Sequence, residues 1–205
     1  LEAAWKPDVK AIVPVAYAGQ APDMLSIYEL AQSRGAIVVE DVCHGTGGGF
    51  IHANKLHKLG GHPYADLSVF SFHPVKTMTT GEGGILTTDN DEFAKKARCL
   101  RSHGVNREVS AFTGKLPDYG PWTYEMHELG FNYRMTDIQA ALGHSQLKKL
   151  PKFIRRRQEI VNHYNFELKD IPHIITPKIR VPEEIDTIFW HLYTLKFNFK
   201  AIKKK

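Results

Sequence analysis

Lys76 stands in the stretch Ser71-Phe72-His73-Pro74-Val75-Lys76-Thr77-Met78-Thr79-Thr80-Gly81-Glu82-Gly83-Gly84, just past an apolar run and on a turn stiffened by Pro74. A lysine amine attacks an aldehyde only when unprotonated, which requires desolvation or a cationic neighbour. The rim between an apolar strand and a glycine loop supplies the first, and Gly81, Gly83 and Gly84 let the backbone approach a bulky ligand. A surface lysine on a hairpin-like turn would read the same way, so Lys76 needs corroboration from elsewhere in the chain.

Asp41 provides it. This carboxylate ends the run Ala36-Ile37-Val38-Val39, and open α/β sheets bind ligands beyond the carboxyl ends of their strands. A carboxylate there suits the ring nitrogen of a pyridine cofactor such as pyridoxal phosphate: it keeps that nitrogen protonated, so the ring withdraws electrons. His44, three residues on, is placed to stack on such a ring. A helix-capping aspartate or an exposed loop histidine explains each residue singly. A strand-end Asp, a nearby His, then a strand, Ser71, Lys76 and glycines in one order is harder to obtain by chance.

The elements that must carry these groups follow from the hydrophobic pattern. Residues 11 to 16 form a short apolar strand that Pro14 weakens, and Asp23 to Ser33 has helical spacing with Gly35 as its stop. With the strand at 36 to 39 this makes a βαβ unit, so the first two strands are expected to be parallel. Residues 45 to 63 read as loop, 66 to 72 and 84 to 88 as strands, and 91 to 101 as a helix capped by Asp89 or Asn90. Residues 103 to 135 lack periodicity and are too long for an idle connection. Thr136 caps a further helix, which Pro151 either kinks or replaces with a new one running to about Lys169. Trp190 to Phe199 alternates like a strand.

The chain has 205 residues, 42% hydrophobic and 24% charged, which suits one sizeable core and argues against wholesale disorder. A net charge of +5, three of it in Lys203-Lys204-Lys205, argues only weakly for nucleic acid and equally suits an anionic small molecule. Cys43 and Cys99 have no metal-ligand spacing, so a reduced, cytoplasmic setting is the expectation. There is no 18-residue apolar run and no signal-like start, so neither a membrane span nor secretion is expected. His52, His57 and His62 recur every five residues, which fits no helical face, and no metal site is expected. No GxGxxG joins a strand to a helix, which argues against a dinucleotide fold.

Four collinear stretches resemble the DegT-like sugar aminotransferases, a fold-type I family: residues 38–45, 68–76 with 80–84, Leu129-Gly130-Phe131-Asn132-Tyr133-Arg134-Met135-Thr136-Asp137 to Gly143, and Gln146 to Leu150. The approach Trp122-Thr123-Tyr124-Glu125-Met126 is most similar to enzymes that make 4-amino-4,6-dideoxy-N-acetyl sugars on UDP. The resemblance implies an α/β fold with a mostly parallel central sheet. Residues 1–150 would be part of the cofactor-binding large domain, and 151–205 the connecting helix and start of a small C-terminal domain.

It also implies pyridoxal 5'-phosphate as cofactor, and roles for single residues. Lys76 would hold the cofactor and move the proton, Asp41 pair with the ring nitrogen, His44 lie against the ring, and Ser71 bond the phosphate. Asn132 would reach the cofactor of a neighbouring subunit, making a homodimer with shared sites. His103, Tyr133 and Arg134 would border the substrate, with Arg134 also suiting a structural role. The implied reaction takes an amino group from glutamate to a nucleotide-linked keto-sugar, with residues 103–135, including Tyr119, Trp122, Tyr124 and Tyr133, touching the sugar nucleotide or a dimer partner. Related sugar dehydratases carry histidine at the Lys76 position, and a non-catalytic scaffold would need none of the intact set. The family's phosphate-cradling turn has no match before residue 35, so an N-terminal part of the family chain is expected to be missing here.

Overall fold

Parallel pairing of β1 (Ala11–Ile12) with β2 (Ile37–Asp41), and of β2 with β5 (Leu67–Ser71), builds the expected sheet, and β6 (Gly84–Thr87) closes it antiparallel to β5. The order is β1-β2-β5-β6. The computed structural model describes residues 1–114 and 120–200, so Tyr119 and the terminal lysine run lie outside the described residues. Pro14 shortens β1 as its missing N–H requires, yet its carbonyl still accepts from Asp41 N–H at 2.8 Å. The path of β1 therefore stays beside β2 to its end, where Asp41 O accepts from Ala16 N–H at 2.9 Å.

Helix α1 (Met24–Ser33) connects β1 to β2, and Asp23 caps it by accepting from Ser26 N–H and Oγ. Met24 and Ala31 are buried and Ile27 and Tyr28 pack beside them against Ala16, Val38 and Val42. This is the apolar stripe that its spacing predicts.

Residues 45 to 63 depart from expectation. They contain a hairpin, β3 (Gly49–His52) with β4 (Lys55–Lys58), turned by Ala53 and Asn54, both at positive φ (48° and 59°). Two positive φ values are what a two-residue hairpin turn needs, but Ala-Asn lacks the Asn-Gly signature that would have announced it. The histidines here pack as aromatic surfaces: His57 stacks on Phe50 at 5.4 Å, and His52 and His62 flank Tyr64.

The chain divides into two compact units, residues 1–87 with 137–205, and residues 88–136. In the first, α3 (Asp137–Leu147) is followed by a separate helix, α4 (Leu150–Leu168), with Pro151 in its first turn, where a missing N–H costs nothing. The expected strand over 190–199 is a correction. Only Lys196–Phe197 (β10) pairs, with β9 (Ile174–Ile175), while Ile188, Phe189 and Trp190 are buried as an irregular segment. Three consecutive residues are buried there, which packing on all sides allows and a strand with one solvated face does not.

In the second unit, α2 (Asp91–Arg101) is capped by Asn90, which accepts from the N–H groups of Glu92 and Phe93. β7 (Val105–Asn106) pairs with β8 (Glu125–Met126). The Glu125 carboxylate accepts from Thr113 N–H and Gly114 N–H and pairs with His127. Those contacts, the Thr113 amide first, hold its pKa down at about 2. No helix among the described residues is long and apolar enough to cross a membrane.

Candidate active site

Two parallel strands end side by side, β2 at Asp41 and β5 at Ser71, and the loops that follow bring the reactive groups together. Asp41 pairs in register with Val69, two residues before Ser71, so the two side chains project on the same face of the sheet. Asp41 is half-buried, and its Oδ1 accepts from Cys43 N–H at 2.9 Å.

That bond starts a tight turn, closed by Gly45 N–H to Val42 O at 2.8 Å, which sets His44 beside the strand end. The Nδ1 of His44 accepts from Ala18 N–H at 3.4 Å, leaving its proton on Nε2. Burial first, then the Lys76 charge, lowers the His44 pKa, with Asp41 opposing, so the ring is neutral near pH 7. Burial, assisted by Asp41, likewise pushes the Cys43 thiol up to about 11.

Lys76 owes its position to a pinned loop. Phe72 O accepts from both Thr80 N–H (3.0 Å) and Thr79 Oγ1 (2.9 Å), and Phe72 N–H donates to Gly83 O at 2.8 Å. His73, Pro74 and Val75 are exposed, whereas Thr77, Met78 and Thr80 are buried. The chain therefore dives inward at Lys76, which is half-buried and lines a cavity of about 570 Å³. α3 packs close on this loop: a Cβ at Gly143 would lie 2.7 Å from Thr80 Cγ2, so a larger residue there would have to push the threonine methyl aside.

Lys76, Asp41, His44 and Ser71 are thus brought to one end of the sheet, as expected. The Lys76 charge acts on His44, on Cys43 and on His191, a residue the sequence reading missed. His191 also lines the cavity, and its ring centroid is 4.6 Å from that of His44. A histidine inside an aromatic alternation carried no signal that set it apart; only the fold brings it here.

His103, Asn132, Tyr133 and Arg134 lie in the other unit, all exposed. There Ser102 bridges Asn132, His103 N–H donates to Phe131 O at 2.8 Å, and Tyr133 stacks on Phe131 at 4.8 Å. His103 is at φ 63°, and Gly104 after it has no room for a Cβ, which would meet Glu128 O at 1.8 Å. Trp122 and Tyr124 are also exposed, the latter under the Arg107 guanidinium.

Comparison with known proteins agrees with this architecture. The model of the DegT/DnrJ/EryC1/StrS aminotransferase family matches residues 1–205. A UDP-4-amino-4,6-dideoxy-N-acetyl-beta-L-altrosamine transaminase of Campylobacter jejuni is 39% identical over 173 residues, covering 84% of this chain and 42% of the relative. Helicobacter pylori PseC, an aminotransferase involved in the biosynthesis of pseudoaminic acid, superposes with a TM-score of 0.81 at 34% identity, over 98% of this chain and 48% of the other. The ntda protein of Bacillus subtilis with bound cofactor PMP superposes with a TM-score of 0.73 at 30% identity, over 98% and 41%. The chain spans less than half the length of the curated relatives it matches.

Proposed function

Because this chain belongs to the DegT/DnrJ/EryC1/StrS aminotransferase family, we propose that it supplies the catalytic amine of a transamination from glutamate to a nucleotide-linked keto-sugar. Aminotransferases of this family use pyridoxal phosphate. The residues present fit that group. Asp41 offers a carboxylate with one oxygen engaged by Cys43 N–H, His44 offers a flat neutral ring, Ser71 a hydroxyl, and Lys76 an amine on a half-buried loop.

When bound, the cofactor supplies an aldehyde and an electron-withdrawing ring, which let an amino group pass from one molecule to another. Lys76 would be the residue that holds the aldehyde group, and its free amine would move a proton during the transfer. Asp41 keeps a proton on the ring nitrogen. His44 would lie against the ring and, being neutral, would add no charge beside it. Ser71 Oγ donates to the phosphate.

The exposed Asn132, Tyr133, Arg134 and His103 are assigned to a neighbouring copy's cofactor and to the sugar nucleotide, in a homodimer with shared sites. Residues 151–205 are assigned to the passage into a second, small domain.

One observation carries this reading: β2 and β5 run parallel and end side by side, with Asp41 and Ser71 on one face of the sheet and Lys76 on the pinned loop that follows Ser71. The test is transfer of ¹⁵N from labelled glutamate by the intact protein, followed by a panel of UDP- and dTDP-linked keto-sugars. Formation of 2-oxoglutarate and a labelled amino sugar is expected. Loss of water from the sugar without label would indicate a dehydratase, and no turnover of glutamate would indicate a scaffold.

A further inference from the structure

The segment Ile188–His191 is held in place more firmly than a connection requires. Ile188, Phe189 and Trp190 are 3%, 1% and 4% exposed. Phe189 O sits where a Cβ at Gly19 would stand, 1.9 Å away, and Gly19 has φ 101°, so only glycine opens this notch. Arg157, on α4, donates from its guanidinium to Trp190 O at 3.1 Å and to His191 O at 3.2 Å. From the other side His191 N–H donates to Ala18 O at 3.0 Å. Ala18 N–H in turn donates to His44 Nδ1, so one residue ties the main chain at 191 and the ring at 44 together.

These bonds fix the main chain at His191, whose ring lines the cavity that Lys76 also lines and lies tilted 51° to the His44 ring at 4.6 Å. Its Nδ1 is sealed from solvent and makes no hydrogen bond. No carboxylate among the described residues pairs with it. Burial first, then His44, Lys76 and Arg157, push its pKa down to about 4. The ring is therefore held uncharged, with no ion pair or Nδ1 hydrogen bond to set its role. What it offers is a flat face.

We infer that His191 is a positioning residue: its ring packs on His44 and fixes the plane in which His44 meets the cofactor. The inference rests on the proposed function, since it presumes pyridoxal phosphate against His44. His191→Leu keeps apolar volume and removes the flat ring, whereas His191→Phe keeps a flat ring and removes the nitrogens. In the intact protein, cofactor affinity is measured by titration with pyridoxal phosphate, and the orientation of the bound ring by its induced circular dichroism in the visible.

The leucine variant is expected to bind cofactor about threefold to tenfold more weakly, the worth of one aromatic pair, with a diminished visible dichroic band. The phenylalanine variant should restore both. His191→Ala stands in if the leucine protein does not fold. Wild-type behaviour in the leucine variant would overturn the inference, as would equal losses in the leucine and phenylalanine variants, which would point to the nitrogens. Failure of the wild-type protein to bind pyridoxal phosphate would instead remove the proposed function, so the two failures are distinguishable.

Discussion

Glu40 and Asp41 are neighbours on β2, yet they face opposite sides of the sheet and lead opposite lives. Glu40 is fully buried, and its carboxylate accepts from Gly60 N–H (2.8 Å) and Ser68 Oγ (2.9 Å) and meets His62 Nε2 at 3.0 Å. Asp41 is half-buried, with Cys43 N–H on one oxygen and Lys76 and His44 nearby. Each face holds an acid, a histidine and a serine: Glu40, His62 and Ser68 on one, Asp41, His44 and Ser71 on the other. On the first, the chain satisfies its own polar atoms and the result is a staple that fastens the hairpin loop to the sheet. On the second, the carboxylate is left with capacity to spare. The two faces differ in that saturation and not in the residue types.

The sharpest contrast comes from removing the two acids in turn. Asp41→Ala should lower amino-group transfer by about 10²–10³-fold, the usual scale for losing one preorganised charge contact, with little change in melting temperature. Glu40→Ala should do the reverse, costing about 3 kcal/mol or more by stranding buried donors, while any protein that folds retains Lys76 chemistry. Steady-state kinetics and thermal melts read the two effects. Matching losses in both assays for both variants would erase the distinction.

The serines provide a finer version. Ser71→Ala should weaken cofactor binding by about tenfold or more, the worth of a charge-assisted bond, whereas Ser68→Ala should cost about 1 kcal/mol of stability and leave cofactor affinity alone. Titration with pyridoxal phosphate and denaturant unfolding separate them.

A further contrast is in pH. A histidine whose folded pKa is depressed to about 4 from 6.5, as at His191, is protonated first in the unfolded chain. Its neutral burial therefore costs nothing above pH 6.5 and destabilises progressively as pH falls from 6.5 toward 4. The wild-type melting temperature should drop more steeply across that window than that of His191→Phe. Parallel curves would show that His191 is not held neutral.

Much of this site was legible in the chain because its parts are local. Asp41 and Lys76 each end or follow a strand whose apolar run is unmistakable, and the parallel pairing of β2 with β5 aligns the two ends without further information. Helix α1 was legible from its spacing and the stop at Gly35. The cap of α2 stood open between Asp89 and Asn90, and Pro151 between a kink and a new start, until the structure gave Asn90 and a separate α4. The hairpin over 49–58 was hidden because Ala53-Asn54 adopts left-handed geometry without the glycine that usually marks it. His191 was hidden for a different reason. Its place depends on the notch at Gly19 and the reach of Arg157, contacts over more than 30 residues of sequence that no local pattern encodes. The saturation of Glu40 also carried no local signal, since it depends on the turn at Gly60 and the ring of His62 arriving from elsewhere.

Covalent capture decides the matter most directly. The intact protein, loaded with pyridoxal phosphate and reduced with borohydride, should yield one modified peptide, bearing the cofactor on Lys76, and Lys76→Ala should yield none. A modified peptide carrying the label on any other lysine, or undiminished labelling of the alanine variant, would contradict the assignment.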